Sequence, residues 1–312
     1  MSLLAGALAL SCSLAGAAPA APYGVLLMAH GGDPRWNAQV DGLRDGLDAR
    51  VPTEVAFGMA DPAELQRAIS SLEARGSVKI VAVPLFVNSS SEVLEQTRYV
   101  LGLKKEPSEV MRKMAALMAS AHGAHGGHGG HPAGPHAMFS TRRVKLAVPL
   151  TLTPALDAHP LVARVLLDRA RGLSREPAAE TVVLIGHGPV DDAADVVWRA
   201  TMARLARTIR KDGGFSSVRS ATLRDDAPEP VRGLAVGRLR AIVEEAGRKG
   251  GRVLVIPYLI AQGGIEQKIV AALEGLKYDW DAKTIMPHVN IARWLSEAAA
   301  EGSRGKDMRR FD

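Results

Sequence analysis

Short uninterrupted apolar runs recur along the chain, each closed by small or turn-forming residues and followed by a longer stretch of helical spacing. Such runs read as strands buried on both faces, and their alternation with helices implies right-handed βαβ units built on parallel sheets. The pattern predicts strands at 24–29, 53–57, 78–87 and 144–150 in a first half. Helices are expected at 36–48, from the Asp61-Pro62-Ala63-Glu64 start, and from Glu92, with a further one at 157–172. Asp61 reads as an N-cap and Pro62 as the first helical residue. The second half repeats the scheme: strands at 181–186, 217–223 and 252–260, and helices at 191–211, 229–248 and from about Ile265. A last helix follows His288 and contains Trp294, and the polar tail from Gly302 is expected to fray.

Two of these runs end alike. GVLLMA stops at His30-Gly31-Gly32, and TVVLIG stops at His187-Gly188-Pro189. The carboxyl ends of strands are where open α/β sheets build their sites. A histidine there can simply bond its neighbours and cap the next helix, but recurrence at matched positions favours a functional role. VKIVAVPLFV and RVLVIPYLI form a second matched pair, with Pro257 in the place of Pro84. The halves therefore read as a duplication, residues 21–150 and 151–312, with two histidines facing one cleft. The fold class that follows is α/β, two similar doubly wound parallel-sheet domains.

The stretch 105–143 interrupts the pattern. It opens with an amphipathic helical segment that aligns Met111, Met114 and Met118, a stripe read as core or docking surface rather than as soft-metal ligands. It continues through a loop, residues 121–137, made of Gly, Ala, Pro and the five histidines His122, His125, His128, His131 and His136. No core can be packed from that composition. Neutral imidazoles on such a backbone can converge on Zn, Ni, Co or Cu, which suits metal capture and delivery better than catalysis.

Composition narrows the partners. The chain has 312 residues, 47% of them hydrophobic, and a formal net charge of +6. A basic balance favours an anionic partner. The cations are dispersed and aromatics make up only 4%, which argues against a stacking platform for nucleic acid. Ala-His-Gly-Gly lacks the glycine spacing of a phosphate-binding turn, so no nucleotide is expected. Residues 1–20 are apolar and small and end in Ala18-Pro19-Ala20, the form of a cleavable signal peptide too short to span a membrane. They hold the sole cysteine, Cys12, so the mature chain would carry no thiolate and would be exported to the periplasm.

With both His-Gly strands and both Pro-containing strands in place, the chain resembles the class II tetrapyrrole chelatases, in particular the two-domain sirohydrochlorin cobaltochelatases and ferrochelatases. The family's first signature, a strand ending in Gly-His-Gly-Ser before Arg-Asp-Pro, corresponds to Ala29-His30-Gly31-Gly32-Asp33-Pro34 and again to Gly186-His187-Gly188-Pro189. Its second, Pro-Leu-Phe with a histidine opening the next helix, corresponds to Pro84-Leu85-Phe86 with Glu92, and to Pro257-Tyr258-Leu259 with Ile265 and then Glu266. Neither half keeps that second histidine. The resemblance implies insertion of Co, Fe or Ni, as substrate, into an anionic sirohydrochlorin-like tetrapyrrole. It implies a site of His30, Glu92 and His187, with Glu266 as a further metal ligand. Arg98, Arg142, Arg143 and Arg199 are candidate partners for the substrate's carboxylates. The alternative is a non-enzymatic exported protein that buffers or delivers metal or tetrapyrrole on the same scaffold.

Overall fold

A computed structural model describes residues 23–107, 112, 142–248 and 251–311. Residues 1–20 with Cys12, expected to be a signal peptide, the methionine stripe and the five loop histidines lie outside the described residues.

The apolar runs form strands where the pattern puts them. In the first half, β1 (Gly24–Ala29), β2 (Thr53–Phe57), β3 (Ile80–Pro84) and β4 (Leu150–Leu152) make a parallel sheet in the order β2-β1-β3-β4. In the second, β5 (Thr181–Gly186), β6 (Ser217–Thr222) and β7 (Val253–Tyr258) make a parallel sheet in the order β6-β5-β7. Every residue of β1, β3 and β7 is buried, as continuous apolar runs in a covered parallel sheet require. The fourth strand differs from expectation. Residues 144–147 stay irregular, and pairing begins only at Leu150, beside Ile80. In the second sheet the fourth strand shrinks to one parallel bridge, Leu254 to Asp279.

The crossovers are α1 (Pro34–Asp48), α2 (Pro62–Ala74), α3 (Glu92–Val100) and α4 (Pro160–Leu173), then α5 (Asp192–Gly213), α6 (Val231–Arg248), α7 (Ile265–Ala272) and α8 (Val289–Arg304). Side-chain caps start most of them: Asp33, Asp61, Ser91 and Asp191 each accept an N–H from the first turn of the helix they precede. Two caps are histidines at matching places. His159 Nδ1 accepts from Leu161 N at 3.2 Å, and His288 Nδ1 accepts from Asn290 N at 3.1 Å.

Counted as structural repeats, β1 to α4 and β5 to α8, the two units exchange those closing helices. α4 closes the first repeat yet packs on β7 and α5, while α8 closes the second repeat yet packs on β3, β4 and α1. They also pack on each other. His159 at the start of α4 faces Glu297 of α8 at 4.0 Å, and His288 at the start of α8 faces Asp168 of α4 at 3.4 Å. The exchange gives the halves one shared core, in which Val25, Val83, Leu166, Leu184, Ile256 and Trp294 belong to a single buried cluster. Separate outer cores lie beneath α2 in the first half and α6 in the second.

The tail does not fray. Met308 N donates to Leu150 O (2.8 Å), Leu150 N donates to Asp307 Oδ1 (3.1 Å), and the N–H groups of Arg310 and Phe311 reach Gly102 O (3.0 and 3.1 Å). The tail thereby satisfies the open edge of β4, a row of backbone groups that would otherwise lie unpaired.

Candidate active site

In both sheets the strand order reverses direction between the strand ending in histidine and the strand containing proline, β1/β3 and β5/β7. Crevices at such switch points, outside the carboxyl ends, are where open α/β sheets bind ligands. His30 and His187 are the residues immediately after β1 and β5, and both line one cleft of about 660 Å³ between the halves. Phe86, Asn88, Ser91, Trp198, Gln262 and Ile265 complete much of its wall.

His30 is held by the helix that follows it. The Trp36 indole N–H donates to His30 O at 2.7 Å, and the two rings stack with centroids 5.7 Å apart. Its Nδ1 lies 2.9 Å from Gly31 O, a contact that suits the tautomer protonated at Nδ1 and leaves Nε2 with a lone pair. His187 is held from the neighbouring strand. Arg224 N donates to His187 O at 2.6 Å, and the buried Arg224 guanidinium binds Pro189 O, Val190 O and the Asp192 carboxylate. His187 Nε2 sits 3.2 Å from Asp226 Oδ2, a contact without hydrogen-bond alignment.

The wall between the histidines is clamped across the two halves. Trp198 of α5 donates its indole N–H to Ser90 O (2.8 Å), and Tyr258 of β7 donates its hydroxyl to Val87 O (2.6 Å). Burial pushes the Tyr258 phenol well above its ordinary range, so it remains a donor. Ser89 ties the same loop to Asp157 through its N–H (2.7 Å) and hydroxyl (2.6 Å). Inside this loop Asn88 is 1% exposed, and its Nδ2 has no partner among the described residues.

The carboxylates expected beside the histidines stand elsewhere. Glu92 begins α3, where a negative charge suits the helix dipole, but it faces solvent and does not line the cleft. Glu266 turns its carboxylate onto the N–H groups of Gly263 and Gly264, so it serves to cap α7. Among the described residues no group of three or more His, Cys, Asp or Glu side chains lies within reach of one ion. The cleft therefore offers two imidazoles, with Ile265 also on its wall.

The four arginines are also placed away from the cleft. Arg98 pairs with Glu95 and Arg199 with Asp195, Arg143 lies over the Tyr99 ring at 4.8 Å, and Arg142 lines a separate surface hollow. Local i to i+3 and i to i+4 acids capture the first two, a competition any surface arginine on a helix meets. Three other cations, Arg35, Arg169 and Lys283, stand beside the cleft. They line an adjoining recess that shares Asp33, Trp36, Ala261 and Gln262 with it. Sequence reasoning missed these three, and also Trp36, Trp198 and Asp226. The Asp33-Pro34-Arg35-Trp36 run beside His30 carried a signal for Arg35 and Trp36. Asp226 had none, because it reaches His187 only through the β5–β6 pairing.

Comparison with known proteins agrees with this fold. Residues 24–173 match the CbiX family. No curated protein sequence matches the chain. Among solved structures, SirB from Bacillus subtilis with Fe3+ superposes with a TM-score of 0.59 at 14% identity, covering 91% of this chain and 96% of its own. SirB from Bacillus subtilis subspecies spizizenii in complex with cobalt gives 0.54 at 13% identity, covering 90% and 95%. CbiX, described as the terminal enzyme of sirohaem biosynthesis in denitrifying bacteria, gives 0.50 at 15% identity, covering 89% and 98%.

Proposed function

We propose that this chain, which belongs to the class II tetrapyrrole chelatase family, inserts a divalent metal ion into a sirohydrochlorin-like tetrapyrrole held in the cleft between its halves. The observation that carries this reading is the convergence of two histidines, from equivalent strand ends, on one cavity. Insertion exchanges two pyrrole N–H protons for one ion, so each turnover releases two protons and needs a base at the face of the macrocycle. An imidazole accepts a proton near neutral pH and, when neutral, ligates Co, Fe or Ni. Two protein nitrogens hold an ion while leaving open positions that the pyrrole nitrogens can take over. The metals named with the SirB structures, Fe3+ and cobalt, support iron or cobalt as the substrate metal.

Arg35 and Lys283 would meet peripheral carboxylates where the macrocycle overhangs the cleft. Trp36, stacked on His30, would keep that ring's plane fixed during transfer. Export of the chain from residue 21, and ion capture by the histidines of 121–137, belong to the same proposal.

A second reading, storage or delivery of metal or tetrapyrrole without turnover, draws on Ile265. It lines the cleft where the family carries a histidine, and it can neither ligate nor accept a proton. One assay separates the two readings: absorbance-monitored insertion of Co(II), Fe(II) or Ni(II) into sirohydrochlorin by the purified chain. The chelatase reading expects a rate above the spontaneous one, lowered about 10²- to 10³-fold by His30→Ala or His187→Ala. Metal binding without any insertion above background would leave only the carrier.

A further inference from the structure

A second and larger cavity, about 930 Å³, opens at the outer edge of the first sheet, where β4, the end of α3, α8 and the tail meet. That volume falls toward the upper end of the range of about 300–1,000 Å³ usual for small-molecule sites. It shares no lining residue with the histidine cleft. Its apolar surface comes from Leu103, Leu152, Trp294, Met308 and Phe311. Its charged surface is cationic in balance. Arg98 and Lys104 converge on the single carboxylate of Glu95, at 2.5 and 2.7 Å, which leaves one positive charge over. Lys105, Lys306 and Arg310 are exposed and have no acid partner among the described residues. Of the acids on the same wall, Glu297 is engaged by Arg293 and Asp307 by Arg309, so only Glu301 stands against these cations.

The wall is built rather than incidental. The tail is pinned to Leu150 and to Gly102, and Gly102, at φ +75°, passes so close to Phe311 O that a Cβ there would lie 2.3 Å from it. We propose that this cavity binds an amphipathic small molecule bearing two or more carboxylates, its apolar body against the Trp294–Phe311 side and its acid groups on Lys105, Lys306 and Arg310. The inference does not depend on chelatase activity, because none of these residues belongs to the cleft. One loop separates the two: Ala155, on the cavity wall, donates its N–H to Ser89 Oγ at 2.9 Å, while the neighbouring Asn88 lines the cleft.

The chemistry fits a carboxylated macrocycle or a long-chain dicarboxylic acid, so both serve as probes. Coproporphyrin, followed by fluorescence, and dodecanedioic acid, followed by calorimetry, are titrated into the full chain, the variant K105E/K306E/R310E, and the control R204E/R207E/K211E. The control makes the same charge change on exposed positions of α5. We expect saturable binding of at least one probe, weakened about tenfold or more by the cavity variant and little changed by the control. The probe that binds identifies the source of the chemistry. Circular dichroism must show that the variants stay folded. Three results would overturn the proposal: no saturable binding of either probe, equal weakening by the control, or loss only on His30→Ala. A chain that binds the probe here but never inserts metal would keep this site and sink the chelatase reading; the reverse result would do the opposite.

Discussion

The two histidine ends occupy the same place in the two sheets and are held there by unlike means. His30 depends on its own following helix, through the Trp36 indole on its carbonyl and the Asn37 side chain on Gly32 N. His187 depends on the loop after β6, through the Arg224 backbone and guanidinium, with Asp226 beside its ring. Strand register sets where each imidazole stands, and the surrounding chain sets what chemistry it can do. One ring is stacked on an aromatic with only a backbone carbonyl as partner; the other lies beside a carboxylate. A duplicated scaffold has thus produced two sites of equal position and unequal character.

The exchanged helices allow the sharpest attempt to break the picture of two interlocked halves. Trp294 is 2% exposed and carries α8, the last helix of the second repeat, onto the first sheet. Truncating it to alanine should cost about 3–5 kcal/mol, as expected for loss of a buried aromatic. Leu166, fully buried on α4, makes the reciprocal attachment, and its truncation should cost about 2–5 kcal/mol. In urea, each variant should shift a single transition of the whole chain. Two separable transitions, with each variant moving only one, would mean that the halves fold independently.

The glycines after the two histidines sharpen the comparison at smaller scale. Gly188 has φ +78°, and a Cβ there would lie 2.6 Å from Thr222 Cβ. Gly31 lies outside the left-handed region, and a Cβ would meet nothing nearer than Phe57 Cβ at 3.9 Å. Gly188→Ala should cost about 2–3 kcal/mol, from left-handed strain and the clash with β6, and Gly31→Ala less than about 0.5 kcal/mol. Thermal melts of the two variants would test this, and equal losses would contradict the asymmetry.

Much of the fold was legible because burial writes itself into sequence. GVLLMA, TVVLIG and the Pro84 and Pro257 runs could only be strands covered on both faces, and Asp61 stood where a cap stands. Those strand ends put His30 and His187 in one cleft. The rest was decided by contacts between distant residues. Whether 144–150 paired depended on Ile80, and the polar tail held because β4 had an open edge for it. Glu266, Arg98 and Arg199 had the right chemical types, but a local cap and helix-spaced ion pairs took them first, while Glu92 turned to solvent. Asp226 and Lys283 reach the cleft or its neighbour by tertiary routes that no spacing reports. The helix exchange is invisible in a repeat that looks the same whether its last helix covers its own sheet or the other.

The smallest expected effect concerns the reciprocal histidine caps. His288 accepts the Asn290 N–H through Nδ1, which it can do only while that nitrogen is unprotonated. Burial, aided by the positive charge of Arg169, holds its pKa below the ordinary 6.5, against the opposing pull of Asp168. A base whose folded pKa is depressed contributes stability that is fully present above about pH 6.5 and is lost as the pH falls toward the folded value. His288→Asn keeps a cap acceptor and removes the titration. Its stability near pH 7.5 should stay within about 1 kcal/mol of the parent chain, as for one good cap replaced by another. Between pH 7 and 5 it should fall less steeply than the parent. Urea midpoints across that range measure the difference. Parallel curves for the two chains would show that the α4–α8 contact carries no proton-linked component at His288, whatever the cap contributes.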